Sequence, residues 1–213
     1  MRNYFREQLK QLHQELTEMG KTCEIAISAA SEALLKNNDA LAAAAENAEE
    51  ELDRQEREVE DLCLKLLLRQ QPVARDLRQI SAALKMISDL ERIGDQAADI
   101  AELARLIRTP VENLHIAEMT QAVIRMVTDS VNAFVQRDLE LARAVCAADD
   151  QVDALFDQVK QELVELISSN AANSGQSLDL LMVAKYLERI GDHATNVAEW
   201  VEYSLTGVHP EGQ

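Results

Sequence analysis

The sequence predicts an all-α protein of two tandem repeated three-helix bundles, six long helices in all, on three observations. Helix-breaking residues are sparse, with 6 Gly and 3 Pro in 213 residues, while Ala, Leu, Glu, Gln and Arg, which lose little freedom in a helix, fill the chain. Apolar residues recur at alternating spacings of three and four over long stretches, the signature of a helix with one buried stripe. The segment LERIGDQAADIAE at 90 to 102 returns as LERIGDHATNVAE at 187 to 199, which marks an internal duplication.

The first helix carries its seam on Phe5, Leu9, Leu12, Leu16, Met19, Cys23, Ala26, Ala30 and Ala33, and Lys36-Asn37-Asn38-Asp39 ends it. Asp39 is the expected cap of a second helix with its seam on Leu41, Ala45, Ala48, Leu52, Val59, Leu62 and Leu66, because a short side-chain oxygen can accept from the free N–H groups of a first turn. Pro72 stops that helix. A third runs from about Val73 to Ile107, with Ala83, Ile87, Leu90, Gly94, Ala97, Ala101 and Ala104 on one stripe, and Thr109-Pro110 closes it.

The second half repeats the plan, with helices near 112 to 136 and 138 to 169, a break at Asn173-Ser174-Gly175, and a last helix to about Thr206. The expected units are residues 1–109, residues 110–207 and a short tail, 208–213. Short connections imply antiparallel neighbours packed at shallow angles. Phe134, Phe156, Tyr186 and Trp200 border apolar stripes and read as core or interface residues; His13 and His115 read as isolated polar positions.

The formal net charge of -17 excludes nucleic acid as a partner, since phosphate backbones are held by Lys and Arg. Basic protein surfaces and metal cations fit better. Cys23, Cys63 and Cys146 form no CxxC pair and read as structural thiols of a reducing compartment. The opening MRNYFREQLKQL is too polar for a signal peptide's core, and no apolar run is long enough to span a bilayer. The expected location is the cytoplasm, with membranes reached only through partner proteins.

On the third helix Glu91, Asp95, Asp99 and Glu102 fall on one face. The sixth helix repeats this as Glu188, Asp192 and Glu199, with Asn196 in the third place. The second helix offers Glu46, Glu49 and Asp53, and the fifth Asp149, Asp153 and Asp157. Like charges one turn apart repel, and a cation shared by facing rows would relieve that repulsion. Oxygen donors suit iron(III), manganese, magnesium or calcium. Solvated acidic faces, or rows neutralised by Arg92 and Arg189, are the alternatives. Gly94 and Gly191, at the same place in each repeat, imply close helix approach.

An oxidase of the di-iron type would need Glu-x-x-His motifs, and the chain has none. It also lacks G-x-S-x-G, P-loop and HExxH patterns, so no enzyme chemistry is expected. His193 is expected to make a polar interhelix contact.

The LERIGD repeat and the paired acidic motifs, Glu49 with Asp53, Glu91 with Asp95, Asp149 with Asp153 and Glu188 with Asp192, resemble the PhoU family over nearly the whole chain. The resemblance implies multinuclear metal clusters, with iron or zinc the family's metals, held on the bundle surface. It also implies a negative regulator of phosphate uptake and of the phosphate-starvation response, linking a phosphate ABC transporter ATPase to a phosphate-sensing histidine kinase. Asn196 implies a weaker second cluster. Long amphipathic helices leave room for a homodimer. An accessory protein of a non-ABC phosphate permease, a carboxylate-cluster metal store and a purely structural adaptor are the competing functions.

Overall fold

The computed structural model describes residues 2–70, 73–107, 114–169 and 174–208, with no strand among them. Six helices follow in order: α1 (Arg2–Lys36), α2 (Asp39–Gln70), α3 (Ala74–Ala104), α4 (Ile116–Gln136), α5 (Leu139–Ser169) and α6 (Ser174–Thr206). Each half is a three-helix bundle, α1 to α3 and α4 to α6. The first-helix seam from Leu12 to Ala33 is buried, and so is the third-helix stripe from Ala83 to Ala104. No helix among the described residues is long and apolar enough to cross a membrane.

The connections between the first two helices of each half are built alike. Asn37 and Arg137 adopt left-handed φ values of 49° and 60°, turning the chain out of α1 and α4. The next amides, Asn38 and Asp138, return to the carbonyls of Ala33 and Ala133 at 3.1 and 2.9 Å, a C-terminal closure that satisfies orphan carbonyls. Asn38 Oδ1 then accepts from the Ala40 amide at 3.0 Å, and Asp138 Oδ1 from the Leu141 amide at 3.0 Å. The cap of α2 is therefore Asn38, one residue before the expected Asp39. Asp39 instead sits in the first turn, where its charge complements the helix dipole.

Three boundaries also differ from expectation. Helix α3 ends at Ala104, and residues 105 to 106 form a tighter turn whose amides reach the carbonyls of Glu102 and Leu103. Helix α4 starts at Ile116, where the Glu162 carboxylate of α5 accepts from the His115 amide at 3.2 Å and from its ring. Ser174 and Gly175 belong to the first turn of α6. Pro72, Thr109, Pro110 and Asn173 lie outside the described residues.

The halves join through α1 with α4 and α3 with α6, while α2 and α5 pack on the outside. Phe134 of α4 meets the His13 ring edge-on at 5.5 Å, and further along α1 Ser31 bonds Thr120 at 3.0 Å, so α1 and α4 run antiparallel. The crossing of α3 and α6 is nearly two-fold symmetric. Asp89 of α3 accepts from His193 Nδ1 at 3.0 Å and from the Asn196 amide at 3.1 Å. In the aligned repeat Asp89 corresponds to Tyr186 and Asn196 to Asp99, and Tyr186 in turn lies against Asp99.

Paired acidic faces as the candidate functional site

Helices α2 and α3 bring the first two motifs together. Glu49 on α2 is pushed above the usual carboxylate range by burial, then by the charges of Asp53 and of Asp95 across the interface. Glu91 on α3 is raised by burial and by Asp95, with Glu56 and Asp53 adding to it and Arg92 opposing. Glu49, Asp53, Glu91 and Asp95 thus share one face. Arg92 bonds Asp95 at 2.9 Å and Arg57 bonds Asp53 at 3.2 Å, both from exposed positions where ion pairs contribute little.

The α5–α6 pair repeats the arrangement. Burial, then Asp192 and Asp153, raise Asp149 to about 6, and burial, then Glu188, raise Asp192 against the opposing charge of Lys185. Asp149, Asp153, Glu188 and Asp192 form the second face. Here a lysine intrudes, since Lys185 bonds Glu188 and also stands 5.6 Å over the Phe156 ring. Its counterpart in the first half is Ser88, which donates to Glu56 at 3.0 Å.

Other expected members lie elsewhere. Glu46 is held by Arg105, one N–H···O bond being 2.9 Å, and that guanidinium keeps its carboxyl low. Asp99 is raised by burial and by Asp95 and Glu102, and lies beside Arg189 and Tyr186 of α6. Asn196 donates to Asp89 at the α3–α6 crossing, as does His193. Asp157 pairs with Lys160 at 2.6 Å. Glu56 joins the first face instead, and its spacing after Glu49 and Asp53 continues one helical stripe, a signal present in the sequence. Lys185, three residues before Glu188 on its stripe, carried the same signal, and Asp89 carried none.

The histidines at 13 and 115 are partnered rather than isolated: the Gln79 amide donates to His13 Nε2 at 2.6 Å, and His115 bonds Glu162. Cys23 and Cys63 are buried and Cys146 is half-buried. Burial pushes the Cys146 thiol up to about 11, which leaves it a poor nucleophile at neutral pH.

A glycine lies beneath each acidic face, but only the first face depends on it. A methyl on Gly94 would stand 2.6 Å from Leu52 Cδ1, with the Glu49 Cα at 3.7 Å, so α2 and α3 approach closely where the carboxylates meet. A methyl on Gly191 would find Asp149 Oδ1 and Val152 Cγ1 at 3.4 Å, close to ordinary contact. Gly94→Ala is therefore expected to destabilise by about 1 kcal/mol, because overpacking against the fully buried Leu52 outweighs the helix-propensity gain. Gly191→Ala is expected to be neutral or stabilising by under ~1 kcal/mol. Urea unfolding of both variants checks the ordering.

Chemically, each face gathers at least four carboxylates, some of them partly desolvated, with no thiolate or imidazole among them, a donor set that fits a hard cation. As the side chains stand, no group of three or more His, Cys, Asp or Glu among the described residues is arranged to hold a metal ion. Fold and site together define a duplicated helical scaffold with two acidic faces. Matching its sequence to known families places it more narrowly: the PhoU domain matches twice, over residues 16–104 and 116–201, and the chain belongs to the PhoU family.

A phosphate-specific transport system accessory protein PhoU homolog of Clostridium acetobutylicum is 38% identical over 210 residues, 97% of this chain and 96% of that one. The homolog from Aquifex aeolicus is 37% identical over 188 residues, 86% and 84% of the two chains. The crystal structure of PhoU from Pseudomonas aeruginosa superposes with a TM-score of 0.90 at 31% identity, covering 96% of this chain and 100% of that one. The phosphate transport system regulatory protein PhoU from Streptococcus pneumoniae gives 0.88 at 25% identity, over 97% and 99%.

Proposed function

We propose that this chain is a cytoplasmic accessory protein of a phosphate-specific transport system that restrains phosphate uptake and keeps the starvation response off when phosphate is plentiful. The observation that carries this reading is similarity to curated accessory proteins over nearly the full length of both chains. The fold adds a physical means. A rigid scaffold of net charge -17, with acidic faces on both halves, is suited to dock basic surfaces of a transporter ATPase and a sensor kinase and to bias their conformational equilibria. Such docking weakens as salt screens the charges.

Cations belong to the same reading. Glu49, Asp53, Glu91 and Asp95 would hold one group and Asp149, Asp153, Glu188 and Asp192 the other, and a bound cation would supply the positive charge that relieves carboxylate repulsion. Addition of manganese or iron to the metal-free protein would then raise its melting temperature, and a chelator would reverse the change.

The decisive experiment is deletion of the gene in its host, with alkaline phosphatase measured in phosphate-rich medium beside a strain carrying the restored gene. Constitutive phosphatase that the restored gene silences is the expected result. Unchanged phosphatase would sink the repressor reading and favour an accessory of a non-ABC phosphate permease.

A further inference from the structure

In a chain of net charge -17, one hairpin tip reverses the sign. From Leu64 to Arg78 the sequence carries Lys65, Arg69, Arg75 and Arg78 against a single acid, Asp76. This stretch is the end of α2 and the opening of α3, held together by a short connection. The start of α1 lies alongside, since Gln8 and Gln11 line one groove with Asp61 and Lys65. It adds the exposed Arg6 and Lys10, with Glu7 opposing.

Apolar side chains stand out among these charges. Leu68 is 84% exposed and Val73 67%, and Leu64, a turn before Leu68, and Leu77, a turn after Val73, are exposed as well. Exposed leucines are ordinary singly, but four apolar side chains on one tip make a patch. Lys65 stands 4.0 Å from Asp61, both of them exposed, where a pair contributes little. Val73, at the N-cap of α3, leaves the first-turn amides without a side-chain cap, and such donors suit an outside anion.

The fold does not require this composition. In the aligned repeat Glu165 stands for Lys65, Ser174 for Leu77 and Gly175 for Arg78. The α5–α6 tip also exposes Val164 and Leu178, but residues 164 to 182 carry Glu165 and Asp179 and no Lys or Arg.

We propose that the α2–α3 tip docks on an anionic lipid surface, with Leu68 and Val73 entering the boundary between headgroups and acyl chains and Lys65 and Arg75 meeting the lipid phosphates. Leucine and valine interleaved with Lys and Arg on a protruding element match that boundary, apolar below and negative above. A hairpin end offers no groove to receive a partner helix. The first acidic face does not oppose this docking: Glu56 stands roughly 18 Å along α2 from Leu68, at about 1.5 Å per residue, or about twice the Debye length at physiological salt. The chain then meets a membrane directly, in contrast to the expectation that it does so only through partner proteins. The tip uses none of the carboxylates of the acidic faces and stands or falls independently of them.

The test is flotation of the full chain with protein-free vesicles, either phosphatidylglycerol mixed with phosphatidylcholine or phosphatidylcholine alone, at low and high salt. Expected is retention on the anionic vesicles that high salt reduces, and roughly tenfold weaker retention for Leu68→Ser/Val73→Ser and for Lys65→Glu/Arg75→Glu. Val164→Ser/Leu178→Ser, at the other hairpin tip, should bind as the parent does. All three variants alter exposed side chains and should melt with the parent. No retention of the parent on anionic vesicles would overturn the proposal and leave a protein partner for the tip. So would parent-like retention of either α2–α3 variant, or equal retention on phosphatidylcholine alone. A parent that sediments without vesicles as a larger species than Leu68→Ser/Val73→Ser would place a second copy on the tip and overturn it too.

Discussion

Asp149→Asn is expected to raise the melting temperature at pH 7.5 by about 5 °C, on the scale of 2–4 °C per kcal/mol for a chain of this size. Burial, Asp192 and Asp153 raise the Asp149 carboxyl from 3.8 to about 6; at about 1.36 kcal/mol per unit this is at most roughly 3 kcal/mol against folding, and solvent screening of the half-exposed carboxyl cuts it to about 1.5 kcal/mol. A raised acid favours the folded state fully below its unfolded value, and that contribution is lost as pH rises through about 6. The parent should therefore be more stable at pH 5 than at pH 8, and Asn should flatten that slope.

Glu49, Glu91, Asp99 and Asp192 are shifted in the same direction, so the slope shrinks without vanishing. Glu46, held low by Arg105, works the other way as pH falls. Thermal unfolding of both proteins from pH 5 to 8, with chelator present, makes the comparison. A less stable Asn variant at pH 7.5 would mean that Asp149 is a satisfied structural carboxylate. Functional sites are where such strain is retained.

Phe134→Ala should bring the largest loss, about 3–5 kcal/mol, or a fall in melting temperature of roughly 10 °C. Phe134 is 2% exposed and heads the fully buried side chains by volume, in a chain whose aromatic content is only 3%. Its ring meets His13 of α1 from α4, so the cavity would open between the two halves rather than inside one. Alanine-rich helices nearby cannot extend to fill it. Urea unfolding reads the change, and a loss under about 1 kcal/mol would show that α1 and α4 close the gap.

Much of the acidic site was legible because helical periodicity is local. Residues one turn apart share a face in any helix, so Glu49 with Asp53, Glu91 with Asp95, and their partners in the second half could be grouped without knowing what they faced. The same logic misassigned Glu46. Its spacing fits the row, but Arg105, beyond the end of α3, reaches back to it, and no rule of spacing anticipates that contact. Asp39 as cap failed by one residue because two adjacent residues, Asn38 and Asp39, can both cap, and the closure from Ala33 determines which one turns out of the helix.

What the sequence determined by itself was the number and identity of the helices, the duplication and the density of carboxylate on particular faces, all consequences of residue type and period. Which faces meet was decided by the tertiary structure. Gly94 allows α2 to close on α3. The crossing of α3 over α6 then turns Asp99, His193 and Asn196 toward the seam between the halves. A helix's rotation about its axis is set by the sum of its packing contacts, most of them distant in sequence, and one row of carboxylates is divided between two environments where that rotation demands it.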